Sequence, residues 1–227
     1  MLGILCLILS LTALWVWKKV ADHDKGLVGS YAILSAILVA LCMNFLFVLN
    51  VEAIHFIQYA IFAIICFQIN SSYWKTMFWS VIAGVIDELY QYMWLTPNKS
   101  EYFDFNDVII DAVGAGIGLI IIRVLAPPVQ GFSTESFIKS FESIFILLIG
   151  SLILIGLMTN YISYGYDEAA MFCFIKVEHL DFWHIVHPAI KFHVVKPIEG
   201  FFISLFLIMC YSFLQKGSKD LNQYEEI

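Results

Sequence analysis

Apolar runs of roughly 17–25 residues, the length that carries a helix across a bilayer, recur along this chain of 227 residues. In hydrocarbon a backbone group finds no water to bond, so each such run closes its hydrogen bonds within itself as a helix. The composition agrees, at 61% hydrophobic and 14% charged residues. The expected fold is all-α: a polytopic integral membrane bundle of about seven transmembrane helices, with an additional interfacial or re-entrant segment. There is no basic patch interleaved with aromatics, which argues against a nucleic-acid partner. The cysteines at 6, 42, 66, 173 and 210 form no CxxC pair and read as small packing residues.

Residues 2–17 form the first apolar run. Lys18 and Lys19 follow it instead of preceding it, so it reads as a retained span and not a signal peptide. The further spans are Leu27–Leu49, Val51–Ile69, Met77–Leu95, Phe105–Leu125, Phe141–Ser163 and Ile198–Leu214. Pro127 and Pro128 stop the helix that begins at Phe105. This divides the chain into an N-terminal helix and loop (1–26), a four-helix core (27–125) and a C-terminal part (126–227). Lys18, Lys19, Lys25, Lys75, Arg123, Lys139, Lys216 and Lys219 fall on one side, against Lys99, Lys176, Lys191 and Lys196 on the other. That asymmetry predicts an outside N-terminus and a cytoplasmic C-terminus in a bacterial cytoplasmic membrane. Segment 164–197 is too interrupted to span. It holds His179, His184, His187 and His193 and is expected to form a helix from near Asp167 to Pro188, at or in the outer interface. Asp181, His184 and His187 would then share one face, open to either a site role or plain interfacial packing.

The chemistry lies in carboxylates set inside apolar sequence. Each costs about 2.5–3.5 kcal/mol at the centre of a span, so several together point to a site. Glu52, His55 and Tyr59 are spaced i, i+3, i+7 and share a helix face. Gln91 stands one turn from both Asp87 and Glu88, and Ser80 and Gly84 continue the Asp87 face. Asp104, Asp107, Asp111, Gly114 and Gly118 form a third stripe. With a rise of about 1.5 Å per residue, Tyr59, Asp87 and Asp111 lie roughly 10, 12 and 9 Å inside their helix ends. The shared depth implies one polar pocket, open outward, between these three helices.

The motifs EAIHFIQYAIFAII, GVIDELYQ and FDFNDVIIDAVGAGIG resemble the VanZ-like family of bacterial membrane proteins. Glu52, His55, Asp87, Glu88, Gln91 and Asp107 match that pattern, over about residues 27–125. Asp111 stands where the family usually has Asn. Lys99 is the nearest basic residue to a loop position where the family commonly has Arg. The resemblance implies a helical membrane fold, a role in the cell envelope and an association with teicoplanin resistance.

Three functions fit the pocket. The first is a hydrolase or transferase acting on a lipid-linked or lipidated envelope substrate. Its candidate catalytic residues are His55, Glu52, Asp87, Glu88 and Asp107, and its substrate contacts are Tyr59, Gln91, Lys99, Asp104 and Asp111. A divalent metal ion on Glu52, His55, Glu88 and Asp107 is one way to relieve the crowding of carboxylates; retained protons are another, and the His-rich segment 164–197 with Lys99 folding over the pocket is a third. The second is a non-catalytic binder of an amphiphilic or cationic ligand, in the manner of a glycopeptide-resistance protein. The third is a proton- or cation-coupled transporter, which lacks evident inverted repeats. Membrane lipids are the expected surroundings in every case.

Overall fold

The computed structural model describes residue 18 and residues 25–47, 50–97, 100–125, 140–187 and 190–218. The first apolar run, Lys99, and the prolines at 127 and 128 lie outside the described residues. Six α-helices are present among those residues. They are α1 (Lys25–Leu41), α2 (Ile54–Asn70), α3 (Tyr73–Tyr90), α4 (Phe105–Leu125), α5 (Phe141–Met158) and α6 (Pro197–Ser212). Wider π-helical turns prolong α1 over Cys42–Leu46 and α3 over Gln91–Leu95. A 3-10 turn, Asn50–Ala53, leads into α2, and another, Phe213–Ser218, follows α6.

Among the described residues, four helical stretches are long and apolar enough to cross a membrane: Lys25–Leu46, Phe105–Leu125, Phe141–Met158 and Pro197–Gln215. The apolar α2 is shorter, and α3, which carries Lys75, Asp87 and Glu88, is not among the four. α3 also begins four residues before the expected Met77. The reason is the turn before it. Ser71 adopts a left-handed conformation (φ 48°) that ends α2, and its N–H bonds to Phe67 O at 2.8 Å. Extended Ser72 then restarts the helix, its carbonyl accepting from Thr76 N at 3.0 Å.

α4 is the axle of the bundle. In its most apolar stretch 78% of residues are buried, against 11% in α5. α1, α2, α3 and α6 all pack on it. Gly114 and Gly118, one turn apart, let the α2 backbone settle directly on α4. A methyl group at Gly114 would come within 2.7 Å of Phe56 O, and one at Gly118 would strike the carbonyl of Ala60. α6 returns to α1 through Ser35 Oγ and Tyr211 Oη at 2.6 Å and through Tyr31 Oη donating to Cys210 O at 2.7 Å.

α5 meets the bundle at its start. Ser140 caps it, accepting from Ser143 N at 3.2 Å. The buried Glu142 carboxylate takes Lys75 Nζ at 3.2 Å and Trp79 Nε1 at 3.3 Å. Beyond that turn its apolar side chains are mostly exposed, as expected of a surface facing lipid. The helix stops at Met158, short of the expected Ser163, because Asn160 turns left-handed (φ 57°).

The segment expected to be an interfacial helix is instead β and irregular structure. β1 (Ile162–Ser163) pairs in parallel with β2 (Phe172–Cys173), and β3 (Trp183–His187) pairs antiparallel with β4 (Ile190–His193). Trp183 faces His193 across the hairpin, and His184 faces Phe192. The segment is stitched to the loop before α4. Phe103 N donates to Phe174 O at 2.8 Å, Lys176 N to Glu101 O at 2.7 Å, and Lys176 Nζ to Pro97 O at 2.9 Å. The strands thus find their partners here, which a lone interfacial helix would not need. This end of the molecule, formed by the ends of α1 and α3, the start of α4 and residues 160–196, is the capped end.

Candidate functional site

The acidic stripe of α4 runs inward from the capped end. Asp104 precedes the helix, its Oδ1 accepting from Asn106 N at 2.9 Å, and Asp107 and Asp111 follow at one-turn intervals. Asp111 is fully buried. His55, in the first turn of α2, meets it, with Nδ1 at 2.9 Å from Oδ1. A buried carboxylate on Nδ1 fixes the imidazole plane and its tautomer, and turns Nε2 to other work. Nε2 of His55 has no hydrogen bond among the described residues. The second oxygen of Asp111, Oδ2, also lacks a hydrogen bond and abuts Gly84 of α3, where a methyl group would come within 2.9 Å of it. Tyr59 stands beside the same carboxylate without reaching hydrogen-bonding geometry.

A cavity of about 360 Å³ opens at the capped end. Glu88, Glu101, Asp104 and Asp107 give it carboxylates, and Gln91, Thr96 and Ser100 give it neutral polar groups. Tyr92, Tyr102, His184 and Phe192 complete its wall. Gln91 Nε2 donates to Glu88 Oε1 at 2.9 Å and to Asp87 Oδ2 at 3.2 Å, so it holds both acids of α3. These two acids part company: Glu88 is buried in the cavity wall and Asp87 is exposed. Asp107 lies within electrostatic reach of His55, Glu52, Asp111 and Asp87, which joins the cavity to the His55–Asp111 pair. At the mouth, burial and the neighbouring charges of Asp107 and Glu52 push the Asp104 carboxyl above its usual range. Burial beside Asp104 likewise raises the Tyr102 phenol.

The structure therefore places Glu88, Gln91, Asp104 and Asp107 on one cavity wall, and His55, Tyr59 and Asp111 together one turn further along α4. Glu52 sits in the 3-10 turn before α2 and reaches both Asp104 and Asp107 electrostatically. The expected metal set, Glu52, His55, Glu88 and Asp107, is not assembled. Among the described residues no three His, Cys, Asp or Glu side chains gather as metal ligands. The physical reason is that His55 is turned to Asp111 and Glu88 is held by Gln91.

Of the histidines in segment 164–197, His184 faces the acidic cavity and His179 is exposed. His193 is tied down, with Nδ1–H donating to Phe182 O at 2.8 Å and Nε2 at 3.5 Å from Glu199. The i, i+3, i+6 face of Asp181, His184 and His187 does not exist, because a strand alternates.

One residue absent from the sequence expectations organises the cap. Asn106 is buried; its Nδ2 donates to Leu46 O at 3.2 Å and to His193 O at 2.8 Å, and its Oδ1 accepts from Val195 N at 2.9 Å. A polar amide between two acids at a helix start, in FDFND, was the available signal.

An apolar helical bundle with buried acids near one end of its central helices, one of them met by a half-buried histidine, is a membrane protein with a polar cluster built into its helices. The VanZ/LLP1 family model matches residues 2–126, and the chain belongs to that family. The match begins ahead of the quoted motifs and takes in the first apolar run. Comparison with curated proteins and with solved structures found no match.

Proposed function

We propose that this membrane protein is an enzyme, a hydrolase or transferase acting on a lipid-linked or lipidated cell-envelope substrate. The observation that carries the reading is the contact of His55 Nδ1 with the fully buried Asp111 at 2.9 Å. An imidazole held in this way can take a proton from water or a substrate hydroxyl on Nε2 and return it to a leaving group. Glu88 and Asp107 border the cavity beside the pair, and a carboxyl retaining its proton there would serve as the complementary acid. Tyr59, Gln91 and Asp104 would position the polar part of the substrate, with Lys99 a further candidate contact.

In this reading residues 2–17 and helices α1–α6 cross a bacterial cytoplasmic membrane as seven spans. The N-terminus lies outside, the C-terminus in the cytoplasm, and the capped end faces outward. The test is lipid mass spectrometry of cells expressing the wild-type chain or His55→Ala. A lipid species that changes with the wild type and not with the variant supports the enzyme. The four carboxylates lining the cavity favour a second reading, a non-catalytic site for a cationic or amphiphilic ligand. Unchanged lipids together with altered glycopeptide tolerance would select that one.

A further inference from the structure

The β3–β4 hairpin has two faces. His184 and Phe192, paired across it, look into the acidic cavity. Trp183 and His193, the next pair, look the other way, into a second cavity of about 430 Å³. That alternation makes the hairpin a partition between a polar space and an apolar one.

The second cavity runs between the end of α1 and the body of α6 and is closed behind by Ile109 and Val113 of α4. Its walls expose no polar atom. Even His193, the one ionisable ring there, has Nδ1 bonded to Phe182 O and Nε2 turned to Glu199. The mouth is flanked by exposed Leu41 and Phe45 on one side and Ile203 and Phe206 on the other. Both flanks belong to helical stretches long and apolar enough to cross the membrane. With these helices crossing a bilayer as proposed above, the groove opens sideways into hydrocarbon, continuous with the exposed apolar flanks of α1 and α6. A water-filled groove would need polar partners that its wall does not offer.

We infer that this groove is a lipid site that holds one acyl chain of a membrane phospholipid beneath the hairpin. The chain packs against Trp183 and so braces the strand pair whose opposite face roofs the acidic cavity. The site is separate from the His55–Asp111 pair, and its occupancy does not depend on the proposed chemistry.

The experiment uses the full chain, purified from liposomes of phosphatidylcholine with brominated acyl chains and stripped in detergent to its retained lipid. Native mass spectrometry should show one phospholipid per chain. Ile203→Trp, at the mouth, should lower that retention by roughly tenfold. Leu152→Trp, on the exposed face of α5, and His55→Ala should leave it unchanged. Should Ile203→Trp fail to fold, the fluorescence difference between wild type and Trp183→Phe gives the share of Trp183, which the retained bromines should quench. A lipid-free chain, a lipid-free dimer, equal retention in Ile203→Trp, or unquenched Trp183 would each overturn the assignment. Loss of activity in His55→Ala with lipid retained concerns the catalytic reading alone.

Discussion

His55 and Asp111, 56 residues apart in the chain, hold each other across the α2–α4 interface at 2.9 Å. One partner is fully buried and the other half-buried beside the acidic cavity. If this pair is catalytic, His55→Ala lowers turnover per folded molecule by about a hundredfold to ten-thousandfold, over and above the loss of stability from leaving buried Asp111 without its partner. Asp111→Asn keeps an oxygen for Nδ1–H but removes the charge, and should fall between wild type and His55→Ala. Turnover of the lipid species identified by mass spectrometry measures both. Full activity in His55→Ala would end the proposal.

The two carboxylates of GVIDELYQ look equivalent in sequence and are not equivalent in the fold. Glu88 is buried in the cavity wall, whereas Asp87 is exposed and touched only at its edge by Gln91. Glu88→Gln should therefore impair lipid turnover or ligand binding at least tenfold more than Asp87→Asn. Equal effects would place the reacting groups elsewhere.

The cap predicts a stability effect. Asn106→Leu strips three hydrogen bonds and leaves the buried Leu46 carbonyl and Val195 N–H, and the part-buried His193 carbonyl, without this amide, at a cost of about 1–3 kcal/mol for each of the two buried groups. Thermal unfolding should shift accordingly, and the amides of 183–193 should exchange faster with solvent. Protection equal to wild type would show that the hairpin is held by something else.

The mouth predicts a pH effect. Asp104 has its carboxyl raised by burial and by Asp107 and Glu52, with Glu88 and Tyr102 also within electrostatic reach. The folded state thus keeps a proton that the unfolded chain gives up at lower pH. The associated stability is full below the ordinary carboxylate range and is lost as pH rises through the raised value. Asp104→Asn retains an oxygen for Asn106 N–H and should flatten the decline in melting temperature with rising pH. An unchanged slope would assign it to other groups.

The glycines predict opposite outcomes by position. Gly118→Ala drives a methyl group into the Ala60 carbonyl and should cost about 1–3 kcal/mol by separating α2 from α4. Gly150→Ala meets nothing within 4 Å on α5 and should be neutral or stabilising by about 0.4–1 kcal/mol. Paired melting curves decide it.

Much of this architecture was legible in the residues. Phe105–Leu125 has the same bounds in sequence and structure, with Asp104 just ahead of its first turn. The small-residue stripe of Gly114 and Gly118 also falls where helices touch. What failed was the reading of 164–197 as a helix. Trp183–His187 and Ile190–His193 are short β-prone runs two residues apart in the sequence, a usual signature of a hairpin, and Pro188 was read only as a helix stop. The expected metal set is a different case, since the described residues do not gather it. Spacing puts donors on faces, but it does not say that Asp111 will claim His55 before Glu52 or Asp107 can.

Asn106 lies within the family-matched stretch, while His193 and Val195, which it secures, lie well beyond it. During biosynthesis this amide leaves the ribosome 87 and 89 residues ahead of its partners. Until they arrive, the acid-lined hollow has its floor and no ceiling. A chain interrupted before Trp183 would carry the His55–Asp111 pair yet lack the strands that roof the hollow. The wall that closes the hollow and the residues at its base thus come from distant parts of the chain, so substitutions at His184 or Phe192 alter its roof without touching Asp104 or Asp107.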